Sequence, residues 1–231
     1  EDFVQKTYSS KQSLMAVVTT QTSKGIKYRI ERALVYEATA FSGLHSLVTT
    51  NQTLSMGSGA TGAAVSATNL NRMLDLVRPK ANVLITPHRL GQRLDQAMQG
   101  VNSTALVYVE AGKSEARLGQ KVMYWRDVPI RRNDHMATPD TGALRETIAS
   151  GTYSAETGGA TGSFFGIHWG MPEEGGCFLA IGADLFEKVG PYESETFNGQ
   201  WFRLRSYLAP GIGSTRSLGR VDGATDAALV A

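Results

Sequence analysis

Apolar residues recur along this chain with two different periods, and the periods predict its elements. In LNRMLDLV, Leu70, Met73, Leu74 and Val77 fall at i, i+3, i+4 and i+7, so a helix is expected from Ser66 to Val77, stopped by Pro79. Leu90, Leu94 and Met98 line one face of a second helix, with Pro87 at its first position, Thr86 as its cap and Gly100 at its end. Between these helices Asn82–Thr86 is a short apolar strand. Residues 3–38 also look mostly helical, with Ile26, Ile30, Ala33 and Val35 near one face. Ser23 is a candidate cap and Lys24-Gly25 a candidate break. If unbroken, that helix would run about 50 Å at 1.5 Å per residue. A helix of that length with one apolar stripe suits a strut across a sheet or a neighbouring subunit.

Gly119–His135, GQKVMYWRDVPIRRNDH, reads as a two-stranded hairpin. Lys121–Trp125 is one strand, Arg126-Asp127 the turn, and Val128 opens the second strand. Pro129 removes a ladder donor, which predicts an edge strand or an opening bulge. Phe164–Trp169 and Cys177–Ile181 are strands separated by a Gly/Pro turn, and WFRLRSYL over Trp201–Leu208 alternates as a half-exposed strand would. Arg203 and Arg205 share one face there, where acids on a neighbouring strand would meet them. Residues 137–162 read as a loop, with TGALRETIAS as a possible helical turn. The tail from Gly211 carries Leu218 and Val221 among small and polar residues. There is no internal repeat. The class is mixed α+β.

Composition narrows the function. The 231 residues are 42% hydrophobic and 19% charged, an ordinary globular balance with length for a large core. A net charge of +2 with scattered basic residues gives no clustered face for nucleic acid. The 25 glycines predict many turns. A single cysteine, Cys177, excludes an internal disulfide and reads as a buried small apolar residue. No apolar run reaches transmembrane length, and EDFVQKTY has no secretory features. The chain starts without methionine, so a trimmed or processed N-terminus is expected.

The candidate chemistry is sparse. Gly57–Gly62 matches G-x-G-x-x-G, but a dinucleotide site needs a strand before the loop and a helix starting on it. NQTLSM is a poor strand and the helix starts only at Ser66. His45, His88, His135 and His168 lack ligand spacing, His88 in a helix's first turn and His168 within a strand. Asp134-His135 is adjacent without being oriented as a dyad. Glu173-Glu174 reads as a turn facing water. No catalytic, cofactor-binding or metal residue is assigned.

Several segments, taken in order, resemble the major capsid protein of tailed DNA bacteriophages, the Hong Kong ninety-seven type of fold. Phe41-Ser-Gly-Leu44 after a long helix is similar to the family's F-x-G-L junction. Gly62-Ala-Ala-Val-Ser66 leading into LNRMLDLV resembles the entry to the first axial-domain helix. Ala81–Thr86 and HRLGQRLDQ resemble the strand and the arginine-rich helix that follow it. Gly119–Asp134 is similar to the family hairpin, with Asp127 standing where glycine is common. Phe164–Trp169 and Trp201–Leu208 resemble its late strands, and Leu218–Val221 its terminal motif.

The resemblance implies a spine helix and part of a peripheral domain over 1–62, an axial domain over 63–155, and returning strands shared by both over 156–231. It implies a structural, non-enzymatic coat protein, needing no cofactor, that self-assembles through pentamers and hexamers into an icosahedral head in the host cytoplasm. Such a head, the virion capsid, encloses double-stranded DNA without sequence-specific binding. Scaffold, maturation protease, portal and decoration proteins are the implied further partners, with no membrane. An encapsulin-type compartment shares the fold, would hold a cargo enzyme and should show an internal groove for a cargo peptide. Two different classes stay open: a nucleotide-dependent α/β enzyme using Gly57–Gly62, and a secreted β-rich binding domain.

Overall fold

A computed structural model describes residues 14–56, 62–100, 106–110, 121–133, 136, 161–182, 187–193 and 200–230. Helix α1, Leu14–Tyr36, runs 23 residues without interruption, about 34 Å. Lys24-Gly25 does not break it. Ser23 is interior rather than a cap: its hydroxyl donates to the Thr19 carbonyl one turn back at 2.8 Å, the back-bond that serine makes inside helices. Among the residues of α1 whose side chains are described, those from Val17 on, the last turn alone enters the core, through Val35 and Tyr36. Upstream, Val18 and Tyr28 are exposed. The helix is a rod anchored at one end.

The chain then turns through Phe41–Gly43 into the short helix α2, Leu44–Leu47. Helix α3, Ala67–Leu76, is capped by Ser66, whose hydroxyl accepts from the Asn69 N–H at 3.5 Å. Helix α4 is His88–Gly100. The expected cap at Thr86 is not made. Pro87 closes the preceding strand, and the Thr86 hydroxyl donates to the Pro87 carbonyl.

Seven strands form one mixed sheet. They are β1 (Thr53–Ser55), β2 (Val83–Pro87), β3 (Leu106–Glu110), β4 (Lys121–Trp125), β5 (Val128–Asn133), β6 (Thr161–Ile167) and β11 (Leu218–Thr225), in the order β1-β11-β6-β2-β5-β4-β3. The pairs β1–β11 and β2–β5 are parallel and the rest antiparallel. Two ribbons stand apart, β7 (Cys177–Ile181) with β10 (Leu208–Ile212), and β8 (Glu187–Glu193) with β9 (Gln200–Arg205). The strand expected over Trp201–Leu208 is therefore split between β9 and β10, and the one expected over Phe164–Trp169 runs Thr161–Ile167. Arg205 lies opposite Glu187 in register, the acid-facing position expected for it. TGALRETIAS lies outside the described residues.

The hairpin forms where expected, and both turn residues, Arg126 and Asp127, take positive φ (47° and 67°). That is the geometry of a tight primed turn, which favours glycine and explains why glycine is common where Asp127 stands. The expected edge position of the second strand does not hold, because β5 is flanked by β4 and β2. Pro129 is accommodated by register. Trp125 and Val128 close the turn as a bonded pair, so Pro129, opposite Tyr124, falls at a non-bonded position of that ladder. On the other side, the ladder with β2 begins only at Ile130.

Around β6 and β11 the sheet is buried on both faces. Phe164 and Val221 point to the face covered by α3 and α4, with Leu70, Met73, Leu84, Leu90, Leu94 and Trp125. Phe165, Ile167 and Leu218 point to the opposite face, with Val35, Tyr36 and Leu44. The paired Gly166 and Gly219 give α3 its seat, since a side-chain carbon on Gly219 would lie 3.2 Å from the Met73 carbonyl. The tail expected after Gly211 is in fact β11, a strand between two others.

Residues after β11 brace both helices. The Ala67 N–H donates to the Val230 carbonyl and the Val230 N–H to the Val65 carbonyl, at 2.9 and 2.8 Å. The Asp226 carboxylate meets Arg93 at 2.7 Å and Arg89 at 2.9 Å, which gives the arginines of the HRLGQRLDQ run a structural role. Asp226→Ala is expected to lower stability by about 1–2 kcal/mol at low ionic strength, and less in high salt because the pairs are partly exposed. Urea unfolding at two salt concentrations measures this, and a salt-independent loss would contradict the ionic origin.

Candidate interaction surface

Among the described residues, no group of three or more His, Cys, Asp and Glu side chains is placed to hold a metal. The histidines are dispersed. His45 is buried, stacked on Tyr36 at 5.0 Å and edge-on to Phe165 at 4.8 Å. His88 sits in the first turn of α4 beside Gln92. His168 follows β6 rather than lying in it, its ring Nδ1 2.8 Å from the Lys80 carbonyl. Asp134 and His135 lie outside the described residues.

Of the Gly57–Gly62 loop, only Gly62 is described. A strand does precede the loop, β1, but β11 and β6 separate it from β2, so no βαβ unit is formed. Three of the donors at the start of α3 are already taken. The Ala67 N–H goes to Val230, the Asn69 N–H to the Ser66 hydroxyl and the Leu70 N–H to the Ser66 carbonyl. A pyrophosphate would find those amides occupied.

Cys177 is buried, its sulfur 3.2 Å from the Ser217 hydroxyl, and burial pushes its thiol above the usual range. A raised thiol pKa favours the neutral folded form. Its contribution to stability is complete below the ordinary thiol value of about 8.5 and is lost as pH rises beyond it. Alkylation at pH 8 is accordingly expected to be slow in the native protein and fast in urea, and fast native labelling would contradict the burial.

The features left are surfaces. An open groove of about 730 Å³ runs between α1 and the outer ribbons, lined chiefly by Ile26, Ile30, Ala33, Phe41, Leu204 and Leu208. The apolar stripe of α1 therefore ends in a half-exposed groove rather than in the core, while Val35, assigned to the same stripe, is buried on the other side. Arg29 stands on the rim. Leu179, Ile181 and Tyr207 are exposed nearby on the β7–β10 ribbon and its approach. The stripe was visible in the sequence; the opposite wall of the groove was not, since it is assembled from residues between 180 and 209, far along the chain. A second, more polar hollow of about 400 Å³ lies where α3 meets the hairpin turn, rimmed by the exposed ion pairs Arg126–Asp75 and Lys80–Asp127 at 3.4 and 3.9 Å. Such exposed pairs contribute little. No described helix is long and apolar enough to cross a membrane.

No protein-family model and no curated protein matches the sequence. Among solved structures the chain is similar to the encapsulin of Synechococcus elongatus in the holo-SrpI encapsulin complex, at 14% identity, with a TM-score of 0.70, over 99% of this chain and 72% of that one. At that identity the likeness speaks for the fold alone. The mixed α+β architecture expected from the sequence, a Hong Kong ninety-seven-like capsid fold, is the architecture of this chain.

Proposed function

We propose that this chain is a structural shell subunit, with no catalytic role, whose copies pack into rings and close into an icosahedral container. The likeness to an encapsulin over 99% of the chain carries this reading. The rod-like α1, anchored by one turn and bordered by an apolar groove, supports it, because such a surface is useful only when something covers it. Many modest interfaces repeated by symmetry then supply the stability of the shell.

The finer reading is the head of a tailed bacteriophage. The collinear motifs from Phe41-Ser-Gly-Leu44 to Leu218–Val221 support it. On this reading the subunit is assembled in the host cytoplasm and found in virions, with scaffold, protease, portal and decoration proteins as helpers. Residues 1–62, 63–155 and 156–231 would be the spine and peripheral portion, the axial domain and the returning strands. The specific observation for a second reading, an encapsulin-type compartment, is the kind of protein the fold matches; the groove would then offer a place for a segment of a cargo protein.

Electron microscopy of the full-length protein expressed alone tests the common claim. Shells, rings or capsomers are expected; a monomer or small oligomer that never assembles would overturn it. Particles from the natural source separate the finer readings: double-stranded DNA inside marks a phage head, and a protein inside marks a compartment.

A further inference from the structure

We propose that neighbouring copies join head to tail, the Met171–Glu174 turn of one seating in the α1 groove of the next; this rests on the shell-forming reading above. The two patches lie at opposite ends of one ribbon. In the β7–β10 register Cys177 faces Ile212 at one end and Ile181 faces Leu208 at the other. The turn projects beyond the first end, and Ala180, Gly182, Leu208 and Ala209 line the groove at the second.

The turn is a built knob. The Glu174 and Gly176 N–H groups both donate to the Met171 carbonyl at 3.1 Å, and the Gly175 N–H donates to the Pro172 carbonyl at 3.0 Å. Gly175 takes φ 75°, which glycine permits. A turn already held in shape loses little further freedom on docking. It presents Met171 at 68% exposure, a flexible thioether suited to filling an irregular apolar groove.

Charge points the same way. Glu173 and Glu174 beside the methionine are exposed, as are Arg29 on the groove rim and Lys27 two residues before it on α1, and none of the four is in an ion pair with another described residue. An acidic, apolar-tipped knob and an apolar groove with a basic rim are complementary, which favours a second copy over a foreign partner as the occupant. Because the patches differ, the contact is heterologous. It repeats from copy to copy and closes into a ring when the rotation allows, as a capsomer requires.

The test is disulfide trapping in the full chain carrying M171C and A180C, with C177A removing the native thiol. Within one copy these cysteines cannot meet. Ala180 lies four extended residues, about 13 Å, from Gly176, which is bonded to residue 171, and a disulfide needs Cα atoms within about 7 Å. Oxidation of assembled protein is expected to give a covalent ladder beyond the dimer, while either cysteine alone stops at dimers. In parallel, E173K/E174K and K27E/R29E are each expected to cut the assembled fraction about tenfold, and combining all four to restore it. All four residues are exposed, so unchanged thermal unfolding separates docking from folding. Assembled shells of the double-cysteine variant that give no ladder, or reversals without effect, overturn the head-to-tail contact and leave the shell reading intact. Wild-type protein that forms no assembly overturns both.

Discussion

Replacing Trp125 with alanine is expected to lower the unfolding free energy by about 3–5 kcal/mol, the range for removing a large aromatic from a packed core. Trp125 is 1% exposed. It closes the hairpin turn opposite Val128, faces Leu106 on β3, and packs within the cluster beneath α3 and α4. Its indole N–H donates to the Asn71 side-chain carbonyl on α3 at 2.9 Å. The alanine variant thus opens a cavity and also strands a polar acceptor. Trp125→Phe retains much of the ring and loses the hydrogen bond, so a smaller loss of about 1–2 kcal/mol is expected. Urea denaturation of the three proteins measures both steps. A loss below about 1 kcal/mol for the alanine variant would mean that the hairpin is not fastened to α3 through this residue.

Gly43→Val is expected to cost about 3 kcal/mol and to abolish assembly while leaving the central sheet in place. Gly43 has an ordinary φ of −73°, so its role is close approach rather than unusual backbone geometry. A side-chain carbon there would lie 2.9 Å from the Ala33 carbonyl and 3.0 Å from the backbone of Glu37. Those atoms belong to the end of α1 and the residue after it, and neither can rotate away. Helix α1 would have to tilt, taking Val35 and Tyr36 with it. Far-ultraviolet circular dichroism should stay near wild type, thermal unfolding should shift down, and electron microscopy should show no shells. Wild-type stability with full assembly would refute the role given to this junction. The same turn is held by the Glu37 carboxylate, which accepts the N–H groups of Thr39 at 2.9 Å and of Ala40 and Ala38 at 3.2 Å, and these hold its carboxyl below the usual carboxylate range. A lowered carboxyl pKa stabilises the folded state above the ordinary value. That contribution fades as pH falls through the lowered one, so the junction should loosen in acid.

The elements legible in the sequence are those whose signal is local. The stripe Leu70, Met73, Leu74, Val77 marks α3 because one helix face is buried along its whole length. The apolar runs either side of Arg126-Asp127 mark the hairpin because two residues suffice to turn it. Phe41-Ser-Gly-Leu44 pointed to a junction, and the contact of Gly43 with the end of α1 supplies its reason. The resemblance across many weak segments reached the fold even at 14% identity to the encapsulin structure, because each segment answers to a burial or turn requirement of that architecture.

What stayed illegible depends on partners distant along the chain. LGRVDGAT looked like a polar tail, yet it is buried between β1 and β6. Its glycines and arginine are there because α3 presses on Gly219, and because the Arg220 guanidinium donates to Ser163 and lies over the Phe165 ring. Pro129 argued for an edge, and only the offset between the two ladders of β5 makes it tolerable inside a sheet. The candidate groove could not be read as a groove, since its two walls come from segments far apart along the chain, and the knob was legible only as a turn facing water. Backbone sterics, turn chemistry and helix periodicity act over a handful of residues, so the order of residues alone establishes them here. Sheet order and surface shape rest on pairings such as the Tyr36 hydroxyl with the Met136 carbonyl, 100 positions apart, which exist only once the chain has closed on itself.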